Sequence, residues 1–221
     1  MKLRSTNQIG GDFHGRYRRP LSTFLTIRAK SQPGPQDVPD QHKVGGPAIQ
    51  TGEDLARWFE NDTPQLGGWM ALNALLAKDG RPPTEQAFLW ASLNMAISAA
   101  LLAAWHYKWM EPSSRLKPRP TEVCDELTVI YASKLDGTPA TNDDFKGVPR
   151  HPSYPSGHST VGGATSAILK RFFTNSDDHT QLDNLADNAG LARMWAGIHY
   201  RTDHEFGLAL GAAVAELVYT G

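Results

Sequence analysis

The sequence predicts an all-α fold, and three observations carry that expectation. Beyond Thr51, apolar residues recur at three- and four-residue intervals; alternation of apolar and polar residues is sustained nowhere; and Pro or Gly punctuates the chain where the periodic segments end. With 221 residues and 40% apolar content, the chain is long enough to bury one core. The expected organisation is an extended N-terminal arm or loop over residues 1–50 and a single helical domain over residues 51–221.

Each element follows from local signals. Residues 1–50 are rich in Gly, Pro, Gln and charge, with breakers at Gln32-Pro33-Gly34-Pro35 and Gly45-Gly46-Pro47. Thr51 can cap a short helix through Glu60, and Gly67 to Lys78 continues with Trp69, Met70, Leu72, Leu75 and Leu76 at helical spacing. Pro82-Pro83-Thr84 starts a long helix that runs to about Trp109. After Pro118-Arg119-Pro120 a further helix is expected from Thr121 to Lys134, with Val123, Leu127, Ile130 and Tyr131 inward. Leu135 to Tyr154 reads as a loop. Three helices close the chain, from about His158 to Phe173, from Gln181 to about Gly197, and from Thr202 to Tyr219. The last carries the capping-box pattern Thr202-x-x-Glu205.

Composition narrows the function classes. Twenty-two basic and 23 acidic side chains leave a net charge of −1, so no global field draws the chain to nucleic acid or to an anionic membrane, and attraction for anions must be local. The lone Cys124 cannot form an intrachain disulfide. No secretory signal is visible at the N-terminus, and a cytoplasmic setting fits. Ala87 to Tyr107 is long and apolar enough to raise the membrane question, but Ser92, Asn94 and Ser98 interrupt it. The expectation is the buried central helix of a bundle, with no membrane partner. A homo-oligomer would cover apolar faces that a short chain leaves open.

Chemistry concentrates in two motifs. Pro155-Ser156-Gly157-His158 sits where a loop becomes a helix. Free N–H groups and the positive end of the helix dipole favour an anion there, Gly157 leaves the backbone approachable, Ser156 adds a hydroxyl, and His158 adds a titratable proton carrier. Read alone, Ser156 is equally an ordinary N-cap. The second motif is Arg193, His199 and Asp203, spaced R-x5-H-x3-D. Arg193 and His199 can meet only if the helix ends near Gly197 and the chain turns. Asp203 then accepts the Nδ1 proton of His199 and leaves Nε2 available as ligand or nucleophile. Arg193 could instead pair with Asp187 on the surface. A metal cluster of His199, Asp203 and His204 is disfavoured, because adjacent residues 203 and 204 point different ways. The missing GxSxG elbow argues against a serine hydrolase.

Together these residues resemble the second and third signature motifs of the superfamily that joins type 2 phosphatidic acid phosphatases, bacterial acid phosphatases and vanadium-dependent haloperoxidases. The resemblance covers roughly residues 65–215 and implies a helical bundle of the acid phosphatase/vanadium haloperoxidase type. The family's first motif has a Lys seven or eight residues before Arg-Pro. Here the candidates are Lys108 and Arg119-Pro120, eleven residues apart, with Arg115 as the substitute. Multiply charged oxyanions need several cations, and guanidinium forks match their oxygens.

His151 chooses the branch. His151-Pro152-Ser153-Tyr154-Pro155-Ser156-Gly157-His158 is similar to the bromoperoxidase version, with a second histidine seven before the acid–base histidine, and Lys108-Trp109 resembles that branch's lysine–tryptophan pair. The resemblance implies vanadate as cofactor, with His199 as the vanadium ligand and Asp203 orienting it. Lys108, Arg119, Ser156, Gly157, His158 and Arg193 would hold the oxygens. His158 would move the peroxide proton, Lys108 and His151 would join the catalytic set, and hydrogen peroxide and bromide would be the small-molecule substrates. The same pocket in a phosphatase implies no cofactor: His199 would attack phosphorus and His158 would protonate the leaving oxygen of a phosphate monoester.

Overall fold

A computed structural model of the chain describes residues 56, 59, 65–111, 117–124, 127, 149 and 151–220. The expected arm over residues 1–50 and the substitute Arg115 lie outside the described residues. All of the described residues belong to one compact unit, Ser31–Gly221. Among them every regular element is a helix. These are α1 (Leu66–Asp79), α2 (Pro83–Met110), α3 (Pro120–Val123), α4 (Gly157–Phe172), α5 (Ser176–Trp195) and α6 (Arg201–Thr220). From the short helix expected at Thr51 to Glu60 only Ala56 and Phe59 are described; both are helical and buried, packed against the C-terminal end of α5 and the turn after it.

One apolar core unites the bundle. Leu72 and Leu75 of α1, Leu89, Leu93 and Ile97 of α2, Val161, Ile168 and Leu169 of α4, and Leu182 of α5 meet in a single cluster. The tightest seam lies between α4 and α6. A Cβ at Gly163 would stand 2.2 Å from Leu208 O, and one at Gly211 would stand 1.9 Å from Thr160 O. Only hydrogen fits where two helix backbones approach this closely. This seam brings the start of α4, with Ser156 and Gly157, beside the start of α6, with Asp203. A hydrogen bond from Ser156 N to Asp203 O, 3.0 Å, pins the two together.

The element starting at Pro83 matches expectation because Pro at the first helical position is prefixed for the helix. Four expectations need correction. First, α2 is not a buried central helix. Leu89, Leu93, Ala96, Ala100, Ala104 and Lys108 face inward, whereas Phe88, Met95, Leu102 and Trp109 lie 45–71% exposed on another face. By length and composition α2 is long and apolar enough to cross a membrane. Second, the helix expected over Thr121 to Lys134 stops at Val123, because Cys124 is extended (φ −142°, ψ 104°). The Glu122 carboxylate turns back to accept the Arg119 N–H at 2.5 Å, closing a single turn. Third, α5 begins at Ser176 rather than Gln181. Asn175 Oδ1 caps the N–H groups of Asp177 and Asp178, and the two acidic side chains suit the positive helix end. Fourth, α6 starts at Arg201, so Thr202 lies inside the helix, and its hydroxyl accepts from Lys117 Nζ at 2.9 Å instead of capping.

Candidate oxyanion site

The turn that delivers His199 is built by Gly197. Its φ of +73° is left-handed, its N–H donates to Met194 O at 3.0 Å, and Ile198 N–H donates to Arg193 O at 3.2 Å. This pairing is the Schellman closure of a helix C-terminus, which glycine accommodates without a Cβ penalty. The chain reverses within four residues, so Arg193 at the end of α5 and His199 before α6 reach the same pocket. Arg193 is buried, which removes the reading of it as a surface partner of Asp187.

His199 is held from both sides. Nδ1 lies 3.1 Å from Asp203 Oδ2, and Nε2 lies 3.4 Å from Arg119 Nη1. A carboxylate can only accept, so Nδ1 carries the proton and the lone pair resides on Nε2. Burial, opposed in part by the Asp203 hydrogen bond and reinforced by the Arg119 charge, keeps the ring well below the usual imidazole range and therefore neutral. Asp203 Oδ2 also accepts from Ser153 Oγ at 2.5 Å and Tyr200 N at 3.1 Å, while Oδ1 pairs with Lys117. Burial alone would raise this carboxyl; the Lys117 charge and the His199 hydrogen bond overcome it and hold it well below the usual carboxylate range.

Arg119 is buried and braced. Nη1 donates to Ile198 O at 2.7 Å and Nη2 to His151 O at 3.0 Å. Nη2 is also 3.1 Å from His151 Nδ1. The same Nδ1 lies 3.2 Å from Pro152 O; the arginine N–H asks it to accept and the carbonyl asks it to donate, so the two contacts select opposite tautomers of the ring. Burial, with the nearby charges of Lys108 and Arg119, pushes His151 down to about 3. The Trp105 ring stands 5.0 Å from the His151 ring, and Trp109 stacks on Trp105. The eleven-residue spacing therefore still brings Arg119 to His199, and it is Arg119 that the described pocket holds.

Lys108 enters from the last turn of α2. Its Nζ donates to Pro152 O at 2.7 Å and Ser153 O at 3.2 Å, which leaves the third ammonium N–H for another acceptor. Burial and then the Arg119 charge lower it to about 7. His158 stands at the first turn of α4, and burial, the Arg193 charge and the neighbouring His199 hold it well below the usual imidazole range. Ser156 is the N-cap of α4, accepting from Ser159 N at 3.3 Å. A Cβ built on Gly157 would meet no atom within 4 Å, so the space in front of this helix start is open.

These side chains fit a tetrahedral or trigonal-bipyramidal oxyanion. Lys108, Arg119 and Arg193 are buried here together with Asp203, and ammonium and guanidinium N–H groups are the donors that an oxyanion takes. The open ground at Gly157 gives that anion access to the helix start. Vanadate and phosphate both suit this donor set, with the lone pair of His199 Nε2 as a neutral donor. Two residues that sequence reasoning did not single out join the site: Lys117, which neutralises Asp203 and lies over the Tyr200 ring at 4.5 Å, and Ser153. No motif marks either one. His204 points away from His199, and among the described residues no group of three or more His, Cys, Asp or Glu could hold a metal ion.

Known proteins resemble this chain in sequence and in fold. The PAP2 superfamily matches residues 87–221. The vanadium-dependent bromoperoxidase of Corallina pilulifera is 34% identical over 112 residues, covering 36% of this chain and 19% of that protein. The vanadium chloroperoxidase of Curvularia inaequalis is 32% identical over 113 residues, covering 48% of this chain and 17% of that protein. The chain thus spans less than a fifth of the length of these curated relatives. A bacterial vanadium-dependent iodoperoxidase shares the fold, with a TM-score of 0.61 at 18% identity over 90% of this chain and 48% of the other.

Proposed function

The chain belongs to the PAP2 superfamily, and we propose that within it the protein is a vanadium-dependent haloperoxidase that oxidises halide, bromide in the first instance, with hydrogen peroxide. The observation that carries this reading over other superfamily chemistry is His151, a neutral imidazole seated between Arg119 and Trp105 at the edge of the pocket. The net reaction is halide plus hydrogen peroxide plus one proton, giving hypohalous acid and water. Vanadate, when bound, supplies a Lewis-acidic centre that makes peroxide oxygen electrophilic without changing its own oxidation state.

The chain's own residues do the rest. His199 Nε2 would be the ligand for vanadium, and Asp203 keeps Nδ1–H turned away so that the lone pair stays on Nε2. Lys108, Arg119, Arg193 and the Gly157 N–H would hold the anion's oxygens and stabilise their charge. Ser156 offers a hydroxyl. His158, held neutral, takes a proton from hydrogen peroxide and returns it to the departing oxygen. The near-zero net charge supports small-molecule substrates rather than nucleic acid.

A second reading uses the same pocket as a phosphatase. It is favoured by His199 Nε2, which carries the ring's lone pair and has a long contact of 3.4 Å to Arg119 Nη1, an arrangement that equally suits attack on phosphorus. His199 would form the bond to phosphorus as the ester oxygen leaves with a proton from His158, which must first take one up from water because burial and the Arg193 charge otherwise hold the ring neutral. Water, deprotonated by His158, would then release phosphate. Parallel assays separate the two: bromination of a phenolic dye with vanadate, peroxide and bromide, and hydrolysis of an aryl phosphate without vanadate. Bromination is the expected result; phosphate hydrolysis without any bromination would overturn the haloperoxidase reading.

A further inference from the structure

Behind the pocket lies a second hydrogen-bonded chain that the chemistry above does not use. Asp187 Oδ1 on α5 is 2.8 Å from His204 Nε2 on α6, His204 Nδ1 is 2.9 Å from Ser159 Oγ on α4, and Ser159 Oγ is 2.9 Å from Ser156 Oγ. His204 and Ser159 are buried, whereas the Asp187 side chain is 53% exposed. Space for the ring is made by Gly190. A Cβ there would stand 1.9 Å from His204 Nδ1 and 2.6 Å from Ser159 Oγ. The sequence Ser–His–Asp resembles a nucleophile relay, but the Ser159 hydroxyl is enclosed between the His204 ring and the Ser156 hydroxyl.

The direction of this chain decides where the Ser156 proton points. Asp187, as a carboxylate, only accepts, so His204 Nε2 carries a hydrogen. If that is the ring's single proton, Nδ1 must accept from Ser159. The one hydroxyl proton of Ser159 is then spent on the ring. Its oxygen is left to accept from Ser156, whose own proton turns away from the pocket. If the ring carries a second proton on Nδ1, the two bonds beyond it reverse while Nε2–H goes on donating to Asp187: Nδ1–H donates to Ser159, Ser159 donates to Ser156, and the Ser156 proton is released toward the pocket. The groups that face the ring among the described residues are Asp187 on α5 and Ser159 on α4. Arg193 lies one turn beyond Gly190 on α5. On α6 itself Asp203 turns the other way, to His199, Ser153 and Lys117. From α2, Tyr107 packs on Phe206 rather than on the ring.

We propose that binding of an oxyanion which accepts a hydrogen bond from Ser156 draws one proton from solvent onto His204 Nδ1, reversing the His204–Ser159–Ser156 bonds while Asp187 goes on accepting from Nε2. The inference rests on the reading of the pocket as an oxyanion site. His204 and Asp187 are positioning residues in this scheme: they touch neither the anion nor the reacting atoms, and they act through Ser159 and Ser156. The exposed Asp187 carboxylate both holds the ring and stabilises the imidazolium once formed.

Calorimetry with inorganic phosphate tests this without any turnover. Binding is measured at about pH 8 in two buffers of different ionisation enthalpy, so that the difference in heat gives the protons taken up. Lys108, His158 and phosphate itself contribute equally in wild type and variant, and the comparison isolates His204. The wild type is expected to take up more protons than His204→Gln, by up to one, and to bind phosphate roughly two- to tenfold more tightly, the range of one hydrogen bond. Asp187→Asn, a change at an exposed position, keeps the proposal testable if His204→Gln does not fold, and it too should show reduced uptake. Equal proton uptake in wild type and in the folded variant, with phosphate bound to both, would overturn the relay. Failure of the wild type to bind phosphate or vanadate at all would instead overturn the oxyanion reading on which it rests.

Discussion

Nδ1 of His199 lies 3.1 Å from Oδ2 of Asp203, one helical turn ahead, and that carboxylate is fixed by Ser153, Tyr200 N–H and Lys117. The ring therefore cannot rotate or change tautomer without breaking a buried network. Asp203→Asn breaks the logic rather than the packing, because an amide can present N–H to Nδ1 and drive the ring proton onto Nε2. Activity is expected to fall by about 10- to 100-fold, the usual cost of removing a group that orients a ligand histidine. Steady-state kinetics on a variant shown by circular dichroism to be folded would check it. An unchanged rate would remove Asp203 from the site.

Lys108 should make anion binding sensitive to pH near neutrality. Its folded value is about 7, so the ammonium loses its charge as pH rises through that value, and attraction for the anion weakens above it. Replacing it with Met should weaken phosphate or vanadate binding by about 10- to 100-fold at pH 6, since a hydrogen bond to a charged group contributes about 1.5–3 kcal/mol. The gap between the two proteins should narrow by pH 9. Equilibrium titrations at several pH values, comparing the two proteins so that the anion's own ionisation cancels, measure this. A gap that stays constant would mean the ammonium keeps its proton throughout.

His151 is expected to matter more for halide oxidation than for anion affinity. It touches Arg119 and Trp105, and it stays neutral, with a value near 3, across any working pH. His151→Ala should therefore lower the bromination rate several-fold or more, while vanadate binding changes little. Rate and vanadate affinity falling in parallel would reduce His151 to a brace for Arg119.

Two glycines on either side of the α4–α6 seam should respond in opposite ways to an added methyl. Gly157→Ala meets no protein atom within 4 Å, so thermal stability should hold while anion affinity drops, because the methyl occupies the open ground before α4. Gly211→Ala meets Thr160 O at 1.9 Å, and neither backbone can yield without parting the helices. Overpacking of this kind costs about 1–3 kcal/mol, and at this chain length each kcal/mol lowers Tm by about 2–4 °C. Thermal melts and phosphate titrations on both variants test the contrast. Equal melting points for the two would mean that the seam tolerates being opened.

What the sequence disclosed follows from how local its causes are. Pro83 and Gly197 act through their own backbones, so the start of α2 and the turn that carries His199 to Arg193 could be read directly. The His199–Asp203 bond spans four residues and was equally legible. The single-turn α3 was not, because it ends where Glu122 folds back on Arg119, a side-chain event that propensity does not register. Thr202 looked like a cap until Lys117, 85 residues earlier in the chain, claimed its hydroxyl. Lys117 itself carries no motif, and its place beside Asp203 depends on how α3 and α6 meet. His204 was correctly set apart from Asp203 by their adjacency, but its partners come from two other helices.

Phe88, Met95, Leu102 and Trp109 follow one another at intervals of seven along α2, all on its open side. Seven residues fall short of two full helical turns by about 20°. From the first aromatic ring to the last, the line they trace therefore slips about 60° around the helix axis. That arc is narrower than the roughly 100° stripe a helix lays against one surface, so a single partner along α2 meets all four, the first and last from opposite edges of its contact.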